Sequence, residues 1–339
     1  MSYKTPQTAE APVSGSRTVL GLHPAVVGGW ARLRLPTLVV AAGLAVAWPA
    51  LAGPYPVTVA SVALVFAVLA ASTQLLSGIA GLASMGQAGY FGIGAYTAAL
   101  LGTAGHTLAL GQLAAATAVA AVAGAATAPL VLRTRGTPFL MATLALQALT
   151  VTAASQWRTL TGGDEGMRTP PVILWPDGPA LTGPAATYWY LSAVTGLLTV
   201  AMLVLMRTRL ILIVRGIAGH EPRMTALGHR VAGRLTAVYT IAAGLAGAGG
   251  ALLVALNQYV APADFGFEIA SLALLAAAMG GTSLTGAALG ALLIIAVRDG
   301  LGVGTAGHGP LLLGLLFIAV AYRRPTHAML IRTFARRRL

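Results

Sequence analysis

The sequence predicts an all-α polytopic membrane protein of about 8–10 transmembrane helices, some broken or re-entrant, with both termini on the cytoplasmic side. Three observations carry that expectation. Of 339 residues, 57% are hydrophobic and 9% charged, with a mean hydropathy of +0.81, whereas a soluble domain carries about 25% charged residues. No Asp, Glu, Lys or Arg occurs between positions 35 and 132. The arginines fall in short clusters between apolar runs, the pattern that sets orientation in a membrane.

Residues 1–35 are polar and basic and read as a cytoplasmic tail. The membrane domain runs over 36–323 and a basic cytoplasmic tail over 324–339. A span needs roughly 20 apolar residues. The apolar runs are 36–53, 57–80, 84–103, 109–131, 138–157, 187–207, 236–257, 268–281, 284–299 and 308–322. Several are short, and the pairs around Gly81 and Thr282 suit broken or re-entrant segments. With all ten crossing, every arginine cluster falls inside: Arg32 and Arg34; Arg133 and Arg135; Arg207 to Arg234; Arg323 onward. Asp164, Glu165, Asp177, Asp264 and Glu268 then fall outside or at the outer interface. Ala50-Leu51-Ala52 resembles a signal-peptidase site, but the region before it is too long for an ordinary leader and more spans follow, so the first span is expected to be uncleaved.

The net charge of +13 is explained by this topology and calls for no nucleic acid. There are no cysteines, which excludes disulfides and Cys metal sites. Six histidines are scattered without metal-ligand spacing, so no metal is expected.

The stretch 81–96 reads Gly81-Leu-Ala-Ser84-Met-Gly86-Gln87-Ala-Gly89-Tyr90-Phe-Gly92-Ile-Gly94-Ala-Tyr96. A lipid-facing helix avoids that mixture of glycine and polar groups. Small residues let helices approach closely with no role in transport. Gly-interrupted segments also point to the permeation path of transporters. The order of residues resembles the branched-chain amino acid ABC permease family, which reads Gly-Gln-x-Ser-x-Gly-His-x-x-Phe-x-x-Ile-Gly-Ala-Tyr here. Gly81, Ser84, Gly86, Ile93, Gly94, Ala95 and Tyr96 fit; Leu82 replaces Gln and Gln87 replaces His.

The outer loop, 158–186, follows Trp157 and holds Leu160, Thr161, Gly162, Gly163, Asp164, Glu165 and Gly166. By composition it is a turn-rich connector. It also resembles the Trp-x-x-Leu-Thr-Gly-Gly-x-x-Gly loop of one of the two paired permeases of that family, which implies that Asp164 and Glu165 face an external binding protein.

In the cytoplasmic loop 208–235, Glu221 followed by Pro222 is a helix start, and Gly228 stops that helix after two turns. Composition alone makes it a curled positive-inside loop. Glu-x-x-x-x-Ala-x-Gly with flanking arginine resembles the coupling helix of ABC importers. The resemblance assigns ATPase coupling to Glu221, Arg223, Ala226, Leu227 and Gly228, with Pro222 and Thr225 as departures.

Around positions 244–250 the small residues read as close helix packing. A second Gly-rich break, Gly280-Gly281-Thr282-Ser283-Leu-Thr-Gly286, resembles another family motif but is one residue short. Two breaks in corresponding halves suggest an internal repeat with a path between them. The path candidates are Ser84, Gly86, Gln87, Tyr90, Gln147, Gly281, Thr282 and Ser283.

No phosphate-binding Gly-x-x-x-x-Gly-Lys-Ser/Thr occurs, and Lys4 is the lone lysine, so the chain is not its own ATPase. No catalytic constellation is readable, and no enzyme is expected. Ion-coupled carriers keep acidic or His relays inside the bundle, and these spans almost lack them.

The resemblance covers about residues 57–325. It implies the permease subunit of an ABC importer in the bacterial inner membrane, moving Leu, Ile or Val. It further implies a second permease, two ATPase subunits that hold ATP and Mg, and an extracytoplasmic binding protein; no cofactor is expected in this chain. A permease for urea, short amides or sugars stays open, as does a secondary transporter or channel.

Overall fold

The computed structural model describes residues 48, 49 and 53–300 apart from 176, 177 and 282, together with 311, 314, 315 and 318. Trp48 closes a first unit, Met1–Trp48; every other described residue belongs to a second, Pro49–Leu339. The expected tails and the expected first and last spans lie outside the described residues, isolated positions aside.

Helix α1 spans Pro54–Gln74 and runs on through a π turn, Leu75–Ile79. Then come α2 (Gln87–Thr103), α3 (Ala109–Val131), α4 (Thr137–Gln156), a single turn α5 (Arg158–Thr161) and α6 (Pro184–Met206). Two short helices follow, α7 (Arg209–Gly219) and α8 (Glu221–Ala226). The long α9 (Val231–Asn257) leads to α10 (Phe267–Gly280) and α11 (Leu284–Ile295), the last continued by a π turn, Ala296–Gly300. Helices α1 and α6 begin on proline, and α4 carries Pro138 as its second residue. Its fixed φ suits a first turn whose amides have no partner anyway.

Each expected span that falls on described residues coincides with a helix. Among the described residues, six helical regions are long and apolar enough to cross a membrane: Pro54–Ile79, Ala109–Val131, Thr137–Gln156, Pro184–Met206, Val231–Asn257 and Pro262–Gly280. The 17-residue α2 and 12-residue α11 are shorter, about 26 Å and about 18 Å at 1.5 Å per residue. The spans are apolar on all sides, as lipid demands. Helix α7 differs: Ile211, Val214 and Ile217 are buried at helical spacing while Arg209, Leu212 and Arg215 point outward.

Small residues build the centre. Helix α9 lies against α3, α2 and α1. Gly94 backs onto the Gly247 backbone, Gly247 onto Ala116 and Ala120, Gly124 onto Ala243, and Gly250 onto the Phe91 carbonyl and Ala95 amide. At each of these points a Cβ would collide, so the close approach needs glycine.

At one end, the loop after α4 is stitched to the turn after α9. Strand β1 (Met167–Arg168) pairs antiparallel with β2 (Tyr259–Val260), Met167 facing Val260. The Tyr259 hydroxyl donates to the Glu165 carbonyl at 2.6 Å, and Leu108 bridges to Ile173. The opposite end carries α7, α8 and the 132–136 turn, with Arg133, Arg207, Arg209, Arg215, Arg223 and Arg230 all exposed.

Candidate functional site

The second Gly-rich break packs against the end of α1 that leads into the first. The chain leaves α1 through its π turn and reverses over 80–86 before α2 begins at Gln87. The second break lies between α10 and α11. Gly81 (φ +71°) and Gly281 (φ +65°) adopt backbone angles that L side chains rarely reach. The Gln74 side-chain amide donates to the Gly281 carbonyl at 2.7 Å, across 207 residues of sequence. A Cβ on Gly78 would strike both that amide and that carbonyl. Thr282 lies outside the described residues. Ser283 is the N-cap of α11: its Oγ accepts from the Gly286 amide at 3.2 Å and donates to the Gly280 carbonyl at 3.0 Å.

The first break is seated on α4. The buried Ser84 Oγ accepts from the Gly86 amide at 3.2 Å. The Met85 amide donates to Thr143 Oγ1 at 3.3 Å, and Gly86 rests on Thr143. Besides Ser84 and Ser283, two more of the expected polar path residues are tied down. Gln147 Nε2 donates to the Phe265 carbonyl at 2.8 Å. The Tyr90 hydroxyl bonds Thr127 Oγ1 and donates to the Tyr239 hydroxyl at 3.1 Å, the two rings meeting edge to face at 5.8 Å. Gln87 is different. It is 1% exposed, and neither of its amide atoms has a partner among the described residues, nor has Gln74 Oε1. An unpaired buried polar group costs about 1–3 kcal/mol, so such groups call for water or a passing ligand.

At the arginine-rich end, Glu221 opens α8 with Pro222 in the first turn, Leu227 caps it, and Gly228 follows at φ +80°. The Glu221 carboxylate accepts a forked pair of bonds from Arg135, Nε at 3.0 Å and Nη2 at 3.1 Å. Arg135 also donates to the carbonyls of Leu132 and Thr134. Through this one guanidinium, α8 is tied to the turn joining α3 and α4. The Arg135 hydrogen bond holds the Glu221 carboxyl below the usual carboxylate range. Arg223, Ala226, Leu227 and Gly228 are exposed, Leu227 at 65%, a large apolar side chain outside any span. Ala218 of α7 packs under Gly81, so the same loop also touches the first break.

Asp164 and Glu165 stand exposed on a 3₁₀ turn, Gly163–Glu165, at the far end. Their carboxylates have no ion-pair partner among the described residues. No group of three or more metal-binding side chains occurs among the described residues.

Gln74, Thr143 and Arg135 are not among the site residues that the sequence offers. Gln74 carried a signal, an amide in the middle of a charge-free span. Arg135 was read as topological charge, and nothing local links it to Glu221.

A bundle of apolar helices, with two glycine breaks joined inside it and a short helix strapped to its arginine-rich end, is the framework of a multi-pass membrane permease. The chain belongs to the family described as the permease component of the branched-chain amino acid transport system, whose model matches residues 55–321. It is 29% identical to the high-affinity branched-chain amino acid transport system permease protein LivM of Escherichia coli, over 92% of this chain and 78% of that protein. It is 28% identical to the LivM protein of Salmonella typhimurium, over 94% of this chain and 79% of that one. No solved structure matches the chain. Members of this family are transport permeases, so this chain is a transport subunit and not an enzyme.

Proposed function

We propose that this chain is the membrane-spanning subunit of an ABC importer that moves branched-chain amino acids across the bacterial inner membrane. ATP hydrolysis in two partner ATPase subunits drives the cycle. A second permease completes the pore, and an extracytoplasmic binding protein delivers the amino acid and supplies most of the selectivity. ATP and Mg belong to the partners; the chain lacks the loop that would cradle phosphates.

The observation that carries this reading is the bond from Gln74, at the end of the helix that leads into the first break, to Gly281 of the second, together with Gln87, whose buried amide has no partner among the described residues. Non-helical backbone at membrane depth is tolerated where protein or a water-filled path covers it. Ser84, Gly86, Gln87, Tyr90, Gln147, Gly281, Thr282 and Ser283 are the proposed path residues, with Gln87 the foremost.

The coupling element is α8. Glu221, Arg223, Ala226, Leu227 and Gly228 present the surface to an ATPase, and the Arg135 fork passes its displacement to α3 and α4. Asp164 and Glu165, both exposed and without ion-pair partners among the described residues, meet the binding protein. Glu221→Arg tests the coupling part: the subunit inserts and assembles, but less leucine is taken up per ATP hydrolysed. Normal coupled uptake in that variant removes α8 from the mechanism.

A further inference from the structure

We propose that a cavity inside a single copy of this chain, at the end that carries the 258–266 turn, docks a free α-amino acid in its zwitterionic form. This rests on the importer reading above and names where the amino acid first sits in the membrane subunit.

The cavity holds about 350 Å³ and lies between α1, α2, α9, α10 and α11, within the size range of small-ligand sites. Its inner wall is apolar, built from Val65, Phe66, Leu69 and Phe91, all buried. Its rim is charged: Arg298 and Asp299 at the end of α11, Asp264 and Glu268 at the start of α10. Charged side chains near the membrane interior are costly and usually serve a function.

These charges are only partly spent on the protein. Arg298 Nε donates to Asp299 Oδ1 at 2.9 Å; its two terminal amines have no partner among the described residues. Asp264 Oδ2 accepts from the Ala261 amide at 2.8 Å, which leaves Oδ1. The Glu268 carboxylate has no partner among the described residues. The Tyr55 hydroxyl donates to the Asp299 carbonyl at 2.7 Å, and so pins the end of α11 to the start of α1, with Arg298 at the rim.

A cation and two spare carboxylate sites above an apolar pocket are the complement of an aliphatic amino acid. The terminal amines of Arg298 suit a carboxylate, which guanidinium grips with paired donors. Asp264 and Glu268 suit the ammonium group, and the wall takes the branched side chain. A sugar or urea needs neither charge. The cavity also points along the proposed path. Phe91, in its inner wall, is four residues from Gln87 on α2, so the two share one helix face, and neither amide atom of Gln87 has a partner among the described residues.

The test uses the full transporter in membrane vesicles. The chain has no cysteine, so Ile269→Cys places a single reporter on the cavity wall. The rate of its alkylation by a maleimide is followed on this chain while leucine is titrated to saturation. At about ten times the dissociation constant only about a tenth of sites stay open, so labelling slows about ten-fold. Leucinamide, which lacks the carboxylate, and isocaproate, which lacks the ammonium, give no protection at that concentration. Protection by leucine is lost in Arg298→Gln, and a cysteine at the exposed Phe267 is labelled at the same rate throughout. If the Ile269→Cys transporter takes up leucine yet leucine leaves its labelling unchanged, the cavity proposal falls and the importer reading stands. Equal protection by leucinamide or isocaproate overturns the zwitterion assignment. If the transporter carries no amino acid at all, the importer reading fails and this proposal with it.

Discussion

Exchanging the charges of Arg135 and Glu221 probes how α8 acts on the bundle. Glu221→Arg sets two guanidinium groups face to face where a forked pair stood at 3.0 and 3.1 Å. Both side chains are over a third exposed, 36% and 39%, so solvent screens the pair and its worth to stability is about 1 kcal/mol or less. A transition midpoint therefore moves little. Coupling is another matter, because this fork is the joint through which α8 reaches the α3–α4 turn. An interaction of about 1 kcal/mol is a factor of about five in an equilibrium, enough to lower the share of ATP turnovers that move a solute. Arg135→Glu alone has the same effect, and the double exchange restores a pair of opposite charges and recovers most of the coupling. Leucine uptake per ATP hydrolysed, in vesicles holding the assembled transporter, reads all four proteins. If both single variants couple normally, or the exchange fails to rescue while assembly is intact, the joint does not carry the motion.

Three further outcomes follow from the same geometry. Because Arg135 holds the Glu221 carboxyl below its ordinary range, the pair's contribution is present above the unfolded carboxyl's pKa and is lost as pH falls through the lowered folded value. Coupling is therefore flat from neutral to mildly acidic pH, and Glu221→Gln behaves at neutral pH as the acidified protein does; a coupling-versus-pH profile checks both. Gly250→Ala, whose Cβ would run into the Phe91 carbonyl and Ala95 amide, destabilises by about 1–3 kcal/mol as overpacking does, whereas Gly196→Ala in α6, with nothing within 4 Å of its Cβ, is neutral or stabilising by up to about 1 kcal/mol; thermal unfolding in detergent separates them. Gln87→Leu leaves stability unchanged or raises it, since it removes a buried amide that has no partner among the described residues, yet lowers leucine uptake; unchanged uptake makes Gln87 a packing residue.

Much of the helical framework was legible because lipid imposes it. Charge-free apolar runs of about 20 residues between positions 35 and 132 read as helices in lipid, and each such run on described residues holds one. The short α8 was legible as well, since Glu221 and Pro222 mark a start and Gly228 a stop. The glycines at 244–250 announced close packing, and Gly247 and Gly250 do lie against neighbouring backbone. What stayed hidden depends on partners far apart in the chain. The 86-residue separation of Arg135 from Glu221 and the 207 residues between Gln74 and Gly281 leave no local pattern. The pairing of Met167 with Val260 is two residues long, too short for any strand period to show. At the site, glycine and polar residues flagged both breaks, but sequence could not tell a satisfied polar group from an unsatisfied one. Among the described residues Tyr90 and Gln147 are bonded and Gln87 is not, a distinction that only the surrounding helices decide.

The most direct test of the central claim is uptake of labelled leucine by cells with and without this chain, each with and without vanadate. Uptake that requires the chain and is blocked by vanadate is the expected result. Chain-dependent uptake that ignores vanadate but collapses with an uncoupler would contradict it, and would make the chain a carrier driven by an ion gradient.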